Sequence, residues 1–343
     1  MYIWDMKRVQ AIDVLRGMTL ALMVLVNLPG SWSAVYPMLA HSAWNGMTPT
    51  DFIFPNFVFV MGVSMFFSLR KQNFTLSWKM LKRFLLLLAF GLLINTANHL
   101  VYGTESIRFT GVLARFALCF GASVLIICKV NHKYLPWVIV GILVGYSALL
   151  LLGNGYEYGP DNILSRVDRA VLGKHMYNDH GIDPEGLLST LPAIANTLIG
   201  FLVGKILASE DFRKMDSLGT AMLLVGLLLD YLLPMNKKVW SPSFVLVVCG
   251  LGTLLMSLLH YIIDERGWWK HTGFFKVFGT NAIYCYLMSD VITWIYSLTG
   301  FGRWAMGLMG VTRWTSLLFA VFSMLVVYLT ALPLYKRKIF LKL

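Results

Sequence analysis

The chain has 343 residues and a formal net charge of +12, yet only 13% of its residues are charged and 57% are hydrophobic. A soluble domain carries about 25% charged residues, so this composition, with a mean hydropathy of +0.67, excludes an ordinary soluble enzyme. Apolar runs of about 20 residues, each long enough to cross a hydrocarbon core of about 30 Å, recur along the chain and predict an all-α, polytopic membrane helical bundle. The shorter alternating segments of a β-barrel are absent.

Ten transmembrane helices are predicted in chain order, and an even number of crossings places both termini on one side of the bilayer. They lie near residues 11–30, 49–69, 84–102, 111–128, 135–152, 186–206, 217–234, 241–262, 277–299 and 315–334. Nineteen lysines and arginines then fall on the side of the termini, eight fall on the opposite side, and Arg16 and Arg115 lie within spans. Because cytoplasmic loops carry the excess of positive charge, both termini are predicted to be cytoplasmic. The net charge is therefore a topology signal, and nucleic acid is not an expected partner.

The first helix has ionisable residues within its apolar run and no small-residue cleavage site after it, so we expect it to stay in the protein. Asp13 and Arg16 are three residues apart and share a helix face. Charged side chains inside spans are candidates for function, although this pair can equally fix the docking of the helix. Asn27 lies near the external end of the same helix.

The first external loop, which ends in "HSAWNGMTPTDF", contains no lysine or arginine. Thr48 and Asp51 have the spacing of a helix N-terminal capping box, so Asp51 can serve as a cap alone or as a cap with a catalytic or substrate role. His41 shares this loop with Trp44 and Asn45. A single histidine is more often structural, but an imidazole beside a carboxylate suits proton transfer near neutral pH. His41 and Asp51 are therefore candidate catalytic residues.

Further candidates lie later in the chain. The long external loop 153–186 is rich in Gly, Asn, Asp and Tyr, and it is either a lid over a sugar-like ligand or a plain solvated loop. Asn236 and Lys237 lie in a compact external turn, and Asn281 and Asp290 are predicted to lie within the ninth helix. Lys237 and Asp290 could line one cavity with the two catalytic candidates. The four cysteines have no metal-ligand spacing and the sequence has no phosphate-loop, GxSxG or HExxH motif, so no metal is expected.

Five blocks of the sequence, running from the first helix to the ninth, resemble the heparan-α-glucosaminide N-acetyltransferase family of transmembrane acyltransferases, in particular its shorter bacterial members. The blocks are "RVQAIDVLRGMTLALMVLVNLPGSW", "HSAWNGMTPTDFIFPNFVFVMGVSM", "DPEGLLSTLPAIANTLIGFLVG", "PMNKKVWSPSF" and "GTNAIYCY". The lysosomal member has an additional lumenal N-terminal region. We therefore expect a single transmembrane acyltransferase domain over 1–343, located in a bacterial inner membrane.

The resemblance implies acetyl transfer from cytoplasmic acetyl-CoA to the amine of a terminal glucosamine across the membrane, and a homodimer. The active histidine of the family lies in the block that matches "HSAWNG", which implies that His41 is catalytic, either as a general base or as an acyl carrier. Asp51 would orient the imidazole or recognise the amine. The residues expected around the sugar and the thioester are Asn27, Trp44, Asn45, Asn236, Lys237, Asn281 and Asp290. The residues expected around the cofactor are Arg8, Asp13, Arg16, Arg83 and Lys276, with Lys79 and Lys82 as further cations.

Two other classes of function remain compatible with the sequence. A secondary transporter for an amino sugar would share the buried carboxylates but would not need a histidine paired with a cytoplasmic cofactor site. An O-acyltransferase or CoA thioesterase acting on a cell-envelope glycan would keep that histidine.

Overall fold

The computed structural model describes residues 9–177 and 181–341, and their regular structure is helical apart from one isolated bridge between Gly46 and Asn236. The α-helices are α1 Gln10–Asn27, α2 Pro49–Arg70, α3 Trp78–Tyr102, α4 Val112–Lys129, α5 Leu135–Leu152, α6 Ile163–Leu172, α7 Thr190–Leu207, α8 Phe212–Leu229, α9 Pro242–Leu259, α10 Gly273–Thr280, α11 Ala282–Thr299, α12 Phe301–Met309 and α13 Arg313–Lys336. Short 3-10 turns precede α2 and α5, and a π-helical turn follows α9.

The predicted all-helical membrane fold is confirmed. Within the described ranges, eight helices are long and apolar enough to cross a membrane, namely α1, α2, α3, α4, α5, α7, α9 with its π-helical turn, and α13. The other two predicted spans coincide with α8 and α11, each of 18 residues. The ninth span is not one continuous helix, because the chain breaks at Asn281 between α10 and α11. The orientation of the bundle in the bilayer stays a prediction.

The centre of the bundle is the pair α2 and α7, most of whose residues are buried. Glycines allow the two backbones to approach closely, as is common between membrane helices. A Cβ atom at Gly62 would lie 2.0 Å from the Thr197 carbonyl oxygen, and one at Gly200 would lie 2.2 Å from the Phe59 carbonyl oxygen. This contact fixes the position of α2, whose first turn carries Asp51.

A second close contact joins α1 to α10. A Cβ atom at Gly279 would lie 1.9 Å from the Asp13 carbonyl oxygen, and one at Gly17 would lie 1.8 Å from the Phe275 carbonyl oxygen. The first backbone N–H groups of α1 also donate to the Asp264 carboxylate, at 2.9 Å each. This contact fixes the start of α1, where Arg16 lies.

Candidate active site

His41 and Asp51 form a hydrogen-bonded pair at one end of the bundle, which we call the His41 end. The predicted capping box is present: Thr48 N–H donates to Asp51 Oδ2 at 3.0 Å, and Asp51 N–H donates to the Thr48 hydroxyl at 3.4 Å. Ser42 N–H also donates to Oδ2 at 3.0 Å, while Oδ1 lies 2.8 Å from His41 Nδ1. The Asp51 side chain is 1% exposed and that of His41 is 49% exposed. With Nδ1–H donated to the carboxylate, Nε2 carries the lone pair of the ring and can accept a proton or attack a carbonyl.

Lys237 completes a cluster with this pair, which we call the His41 cluster. Its Nζ lies 3.6 Å from Asp51 Oδ1, 3.1 Å from His41 Nδ1 and 3.4 Å from His41 Nε2. Burial lowers the pKa of Lys237, although the Asp51 carboxylate opposes that shift. The sequence predicted that these three residues could share a cavity, and the structure brings them together.

Asn45 and Asn236 join the two loops that carry the His41 cluster. The Asn236 Nδ2 amide donates to Asn45 Oδ1 at 3.2 Å, and Gly46 N–H donates to the Met235 carbonyl at 2.7 Å. Asn236 is fully buried and has a structural role here, and its contact with substrate stays a prediction. These bonds hold Lys237 against His41.

Trp44 attaches the long loop 153–186 to the His41 end. Its indole N–H donates to the Tyr156 carbonyl at 2.7 Å, and its ring centroid lies 4.9 Å from that of Tyr158. The Lys238 ammonium lies 5.2 Å from the Tyr158 ring. The loop and the His41 cluster are therefore on the same end of the bundle, as predicted, and the lid itself stays a prediction.

A buried ion-pair network at the His41 end was missed by the sequence analysis. Asp183 is fully buried and binds Arg108, the Thr110 hydroxyl and the N–H groups of Tyr177 (2.8 Å) and Glu185 (2.9 Å). Arg108 Nη2 also donates to Glu185 Oε2 at 2.6 Å. Burial alone would raise the pKa of Asp183, but the Arg108 guanidinium outweighs it and holds that pKa below its usual value. The acidic pair in "DPEG" was the only sequence signal of this network.

Arg115 lies beneath this network, fully buried on α4. Its Nη2 donates to the Gly186 carbonyl at 3.0 Å and to the Ser189 hydroxyl, and its guanidinium lies 4.8 Å from the Trp240 ring. Arg115 therefore ties the start of α7 to the turn that carries Lys237.

Asp168 on α6 is a buried carboxylate with one unused oxygen. Oδ1 accepts the Leu187 N–H at 2.8 Å, whereas Oδ2 has no partner among the described residues. Burial raises the pKa of Asp168 to about 6, and the negative charge of Asp183 adds to the shift. The pKa in the folded protein thus exceeds the unfolded value of about 3.9, so the folded state binds more protons between these pH values. Stability is therefore lost as the pH rises from about 4 to about 6, and the loss stays constant above pH 6.

Replacing Asp168 with asparagine is therefore expected to stabilise the protein at pH 8 by about 2 kcal/mol. The advantage over the wild type should shrink towards zero only at about pH 3, where Asp168 is protonated in both the folded and the unfolded protein. Thermal unfolding in detergent at the two pH values measures this difference. Asp161, which is exposed in the same loop, provides the control Asp161→Asn, and an advantage for Asp168→Asn that is equal at both pH values would contradict the assignment.

The opposite end of α1, the Arg16 end, collects several predicted cofactor residues. Arg16 donates to the Gly279 carbonyl at 3.3 Å and to the Ser64 hydroxyl, and its guanidinium lies 3.7 Å from the Asp13 carboxylate. The positive charge of Arg16 also acts on Arg83, whose buried Nε–H has no acceptor among the described residues. Two partly buried cations are thus placed near each other.

Lys276 and Asn281 also lie at the Arg16 end. Lys276 donates to the Gln10 side chain, and Arg8 lies outside the described residues. Asn281 was expected near the thioester or the sugar, but it binds the Ile339 carbonyl (3.2 Å) and the Leu341 N–H (3.1 Å) at the Arg16 end.

Asn27 and Asp290 do not join the His41 cluster either. Asn27 is exposed at the end of α1. Asp290 lies on α11, with a buried Oδ2 that has no partner in the described part of the chain, and its charge acts on Tyr102 and Tyr286. The prediction that Asp290 shares a cavity with Lys237 is not supported by a contact in that part of the chain.

Comparison with known proteins adds independent information. A family model described as "Heparan-alpha-glucosaminide N-acetyltransferase, catalytic" matches residues 8–230. The heparan-alpha-glucosaminide N-acetyltransferase of Homo sapiens is 28% identical over 354 residues, which cover 83% of this chain and 53% of the relative. That of Mus musculus is 26% identical over 355 residues, covering 83% and 54%. The chain therefore spans about half the length of the curated relatives it matches.

Proposed function

Since the chain belongs to the heparan-alpha-glucosaminide N-acetyltransferase family, we propose that it moves an acetyl group from cytoplasmic acetyl-CoA to the amine of a glucosamine-type sugar at the His41 end, on the external side. The observation that carries this proposal is the His41–Asp51 pair, in which a half-exposed imidazole keeps its Nε2 lone pair beside the Lys237 ammonium.

The chemistry follows from the properties of these three groups. A protonated amine has no lone pair, so it must lose a proton before it attacks the thioester, and His41 Nε2 is placed to accept that proton. Alternatively, Nε2 attacks the thioester and carries the acetyl group to the sugar in a second step. In both routes Asp51 holds the imidazole, since its two oxygens are already bonded. The Lys237 ammonium can stabilise the oxyanion of the tetrahedral intermediate.

A route for the thioester across the bundle is supported by buried polar groups between the two ends. Asp51 and Ser64 are separated by 13 residues of α2, or about 20 Å of helix. Between them Asn56 Nδ2 donates to Thr19 Oγ1 at 2.9 Å, and the side-chain oxygens of Asn56 and Asn196 are buried without a donor among the described residues. Unpaired buried acceptors require an explanation, and the amide N–H groups of the pantetheine arm of CoA would provide donors for them.

The phosphates of acetyl-CoA are proposed to bind at the Arg16 end. Arg16 and Arg83 bring two positive charges together there, and Arg83 Nε–H is buried without an acceptor. An anion with several oxygens would bind both guanidinium groups and compensate their repulsion.

Replacing Arg83 with methionine is accordingly expected to raise the KM for acetyl-CoA by at least about tenfold, which is the loss of one charge-assisted hydrogen bond of about 1.5–3 kcal/mol, while kcat changes little. Steady-state kinetics of thiol release at varied acetyl-CoA concentration measure both constants. Lys71→Met, which removes an exposed charge after α2, is the matched control, and an unchanged KM in Arg83→Met would remove Arg83 from the cofactor site.

The proposed function is tested with purified protein and acetyl-CoA, with and without glucosamine. Thiol release that requires the amine and yields N-acetylglucosamine supports it. Thiol release without an amine would indicate a thioesterase, and sugar uptake into proteoliposomes without thiol release would indicate a transporter. We also propose a homodimer in a bacterial inner membrane, and the mass of the detergent-solubilised particle tests the homodimer.

A further inference from the structure

An acceptor amine that is protonated before it reacts is positively charged, so a carboxylate near the His41 cluster would favour its binding. Asp51 is unsuitable for that contact. Its Oδ1 binds His41 and its Oδ2 binds Ser42, and Thr48 also donates to Oδ2. The Asp51 side chain is only 1% exposed.

Glu185, unlike Asp51, has a carboxylate oxygen available to a ligand. Arg108 binds only one of its oxygens, Oε2, and no described residue donates to Oε1. The side chain retains 14% exposure, so Oε1 is open to a ligand. The backbone is also fixed, because Glu185 N–H donates to the buried Asp183 at 2.9 Å. Glu185 is therefore a rigidly held carboxylate with one free oxygen.

Arg115 connects the chain at Glu185 to the turn that carries Lys237. Its Nη2 donates to the carbonyl of Gly186, the residue after Glu185, at 3.0 Å, and its guanidinium lies 4.8 Å from the ring of Trp240 in that turn. The charges of Asp51 and of Glu185 both act on the Lys237 ammonium, which itself lies 3.1 Å from His41 Nδ1. The negative charge of Glu185 also acts on the guanidinium groups of Arg108 and Arg115. The free oxygen of Glu185 thus belongs to the same end of the bundle, and to the same group of interacting charges, as the exposed imidazole.

We propose that Glu185 binds the ammonium group of the acceptor, a primary amine on a sugar, at a subsite beside Lys237 and His41. This inference rests on the proposed acetyl transfer and names the residue that selects its acceptor. Glu185 attracts the ammonium, and the neighbouring Lys237 charge favours loss of its proton because like charges repel. His41 Nε2 accepts that proton.

The subsequent transfer is balanced. In the direct route the neutral amine forms a C–N bond to the acetyl carbon of the thioester as the C–S bond breaks. The leaving thiolate takes the proton held by His41, and the second proton of the amine leaves to external water. In the two-step route the C–S bond breaks when His41 Nε2 takes the acetyl group, and the amine then forms its C–N bond as the bond between Nε2 and the acetyl carbon breaks. In that route the two protons lost by the ammonium go to the CoA thiolate and to external water. The products are the N-acetyl sugar, CoA thiol and one released proton.

The test uses Glu185→Gln, which keeps the size of the side chain and an oxygen that can accept from Arg108. The KM for glucosamine is expected to rise at least tenfold, while kcat changes by no more than about twofold, since the acyl-transfer residues are intact. Glu105→Gln, which alters an exposed glutamate elsewhere in the chain, should match the wild type. The unfolding temperature of each variant shows that the fold is retained.

Direct calorimetric titration separates this inference from the proposed function. The wild type should bind glucosamine more tightly than glucose, which lacks the amine, and Glu185→Gln should lose that preference. An unchanged KM and an unchanged preference in Glu185→Gln would overturn the inference, as would a fall in kcat at constant KM. A preference that depends on Glu185 in a protein without acetyl transfer would uphold the amine subsite and reject the acetyltransferase.

Discussion

Replacing His41 with alanine is expected to lower amine-dependent thiol release by about a thousandfold, which is within the range for loss of a general base or a nucleophile. The variant should still fold. His41 is half exposed, and Asp51 keeps its bonds to Ser42 and Thr48 and its ion pair with Lys237 when the imidazole is absent. Initial rates with acetyl-CoA and glucosamine, together with the unfolding temperature, measure the two quantities.

A matched histidine is available as a control. His99 lies at the end of α3 with its ring 3.1 Å from the Thr104 hydroxyl, and His99→Ala should keep the wild-type rate. Mass spectrometry of the protein after a single exposure to acetyl-CoA, without sugar, distinguishes the two roles of His41. Acetyl on His41 indicates the acyl carrier, and unmodified protein indicates the general base. A His41→Ala variant with more than a tenth of the wild-type rate would reject both roles.

Replacing Gly200 with alanine is expected to destabilise the protein by about 3 kcal/mol, because a methyl group has no room between α2 and α7. The added Cβ would lie 2.2 Å from the Phe59 carbonyl oxygen and close to Gly62. Since the obstacle is backbone, the two helices must separate along the contact that fixes the first turn of α2. We therefore expect a lower unfolding temperature and a weakened site.

The control for this prediction is the same substitution at Gly141 on α5, where an added Cβ meets nothing within 4 Å. Gly141→Ala should leave stability unchanged or raise it by up to about 1 kcal/mol, which is the difference in helix propensity. Thermal unfolding in one detergent compares the two variants directly. Equal unfolding temperatures for both variants would show that close backbone packing does not limit the stability of this bundle.

Sequence patterns correctly predicted those parts of the structure that depend only on residues close together in the chain. The length of the apolar runs located the spanning helices. The spacing of Thr48 and Asp51 predicted the start of α2, since a capping box needs only neighbouring residues. His41 is ten residues from Asp51 and lies just before that start, so the pair followed from the same signal.

The errors concern features that depend on tertiary packing. The break at Asn281 interrupts a continuous apolar run, and it lies where Gly279 packs against the backbone of α1. The bond between Asn236 and Asn45 was also not predicted, because the two residues are 191 positions apart in the sequence. Arg108 lies in a loop, as predicted, but its ion pairs were missed because Asp183 and Glu185 are 75 and 77 residues away in the sequence. Contacts between loops that are distant in the sequence produce no periodic pattern of residues, so the sequence does not predict them.

The pairing of the loops around Asn45 and Asn236 determines when the site is complete during biosynthesis. His41 leaves the ribosome 196 residues before Lys237, an interval of about 10–40 s at 5–20 residues per second. During that time the nascent chain carries an imidazole and a carboxylate without the neighbouring cation. The newly made polypeptide has all three groups in place only after the turn before α9 has docked. A product truncated before that turn would therefore be an inactive membrane protein.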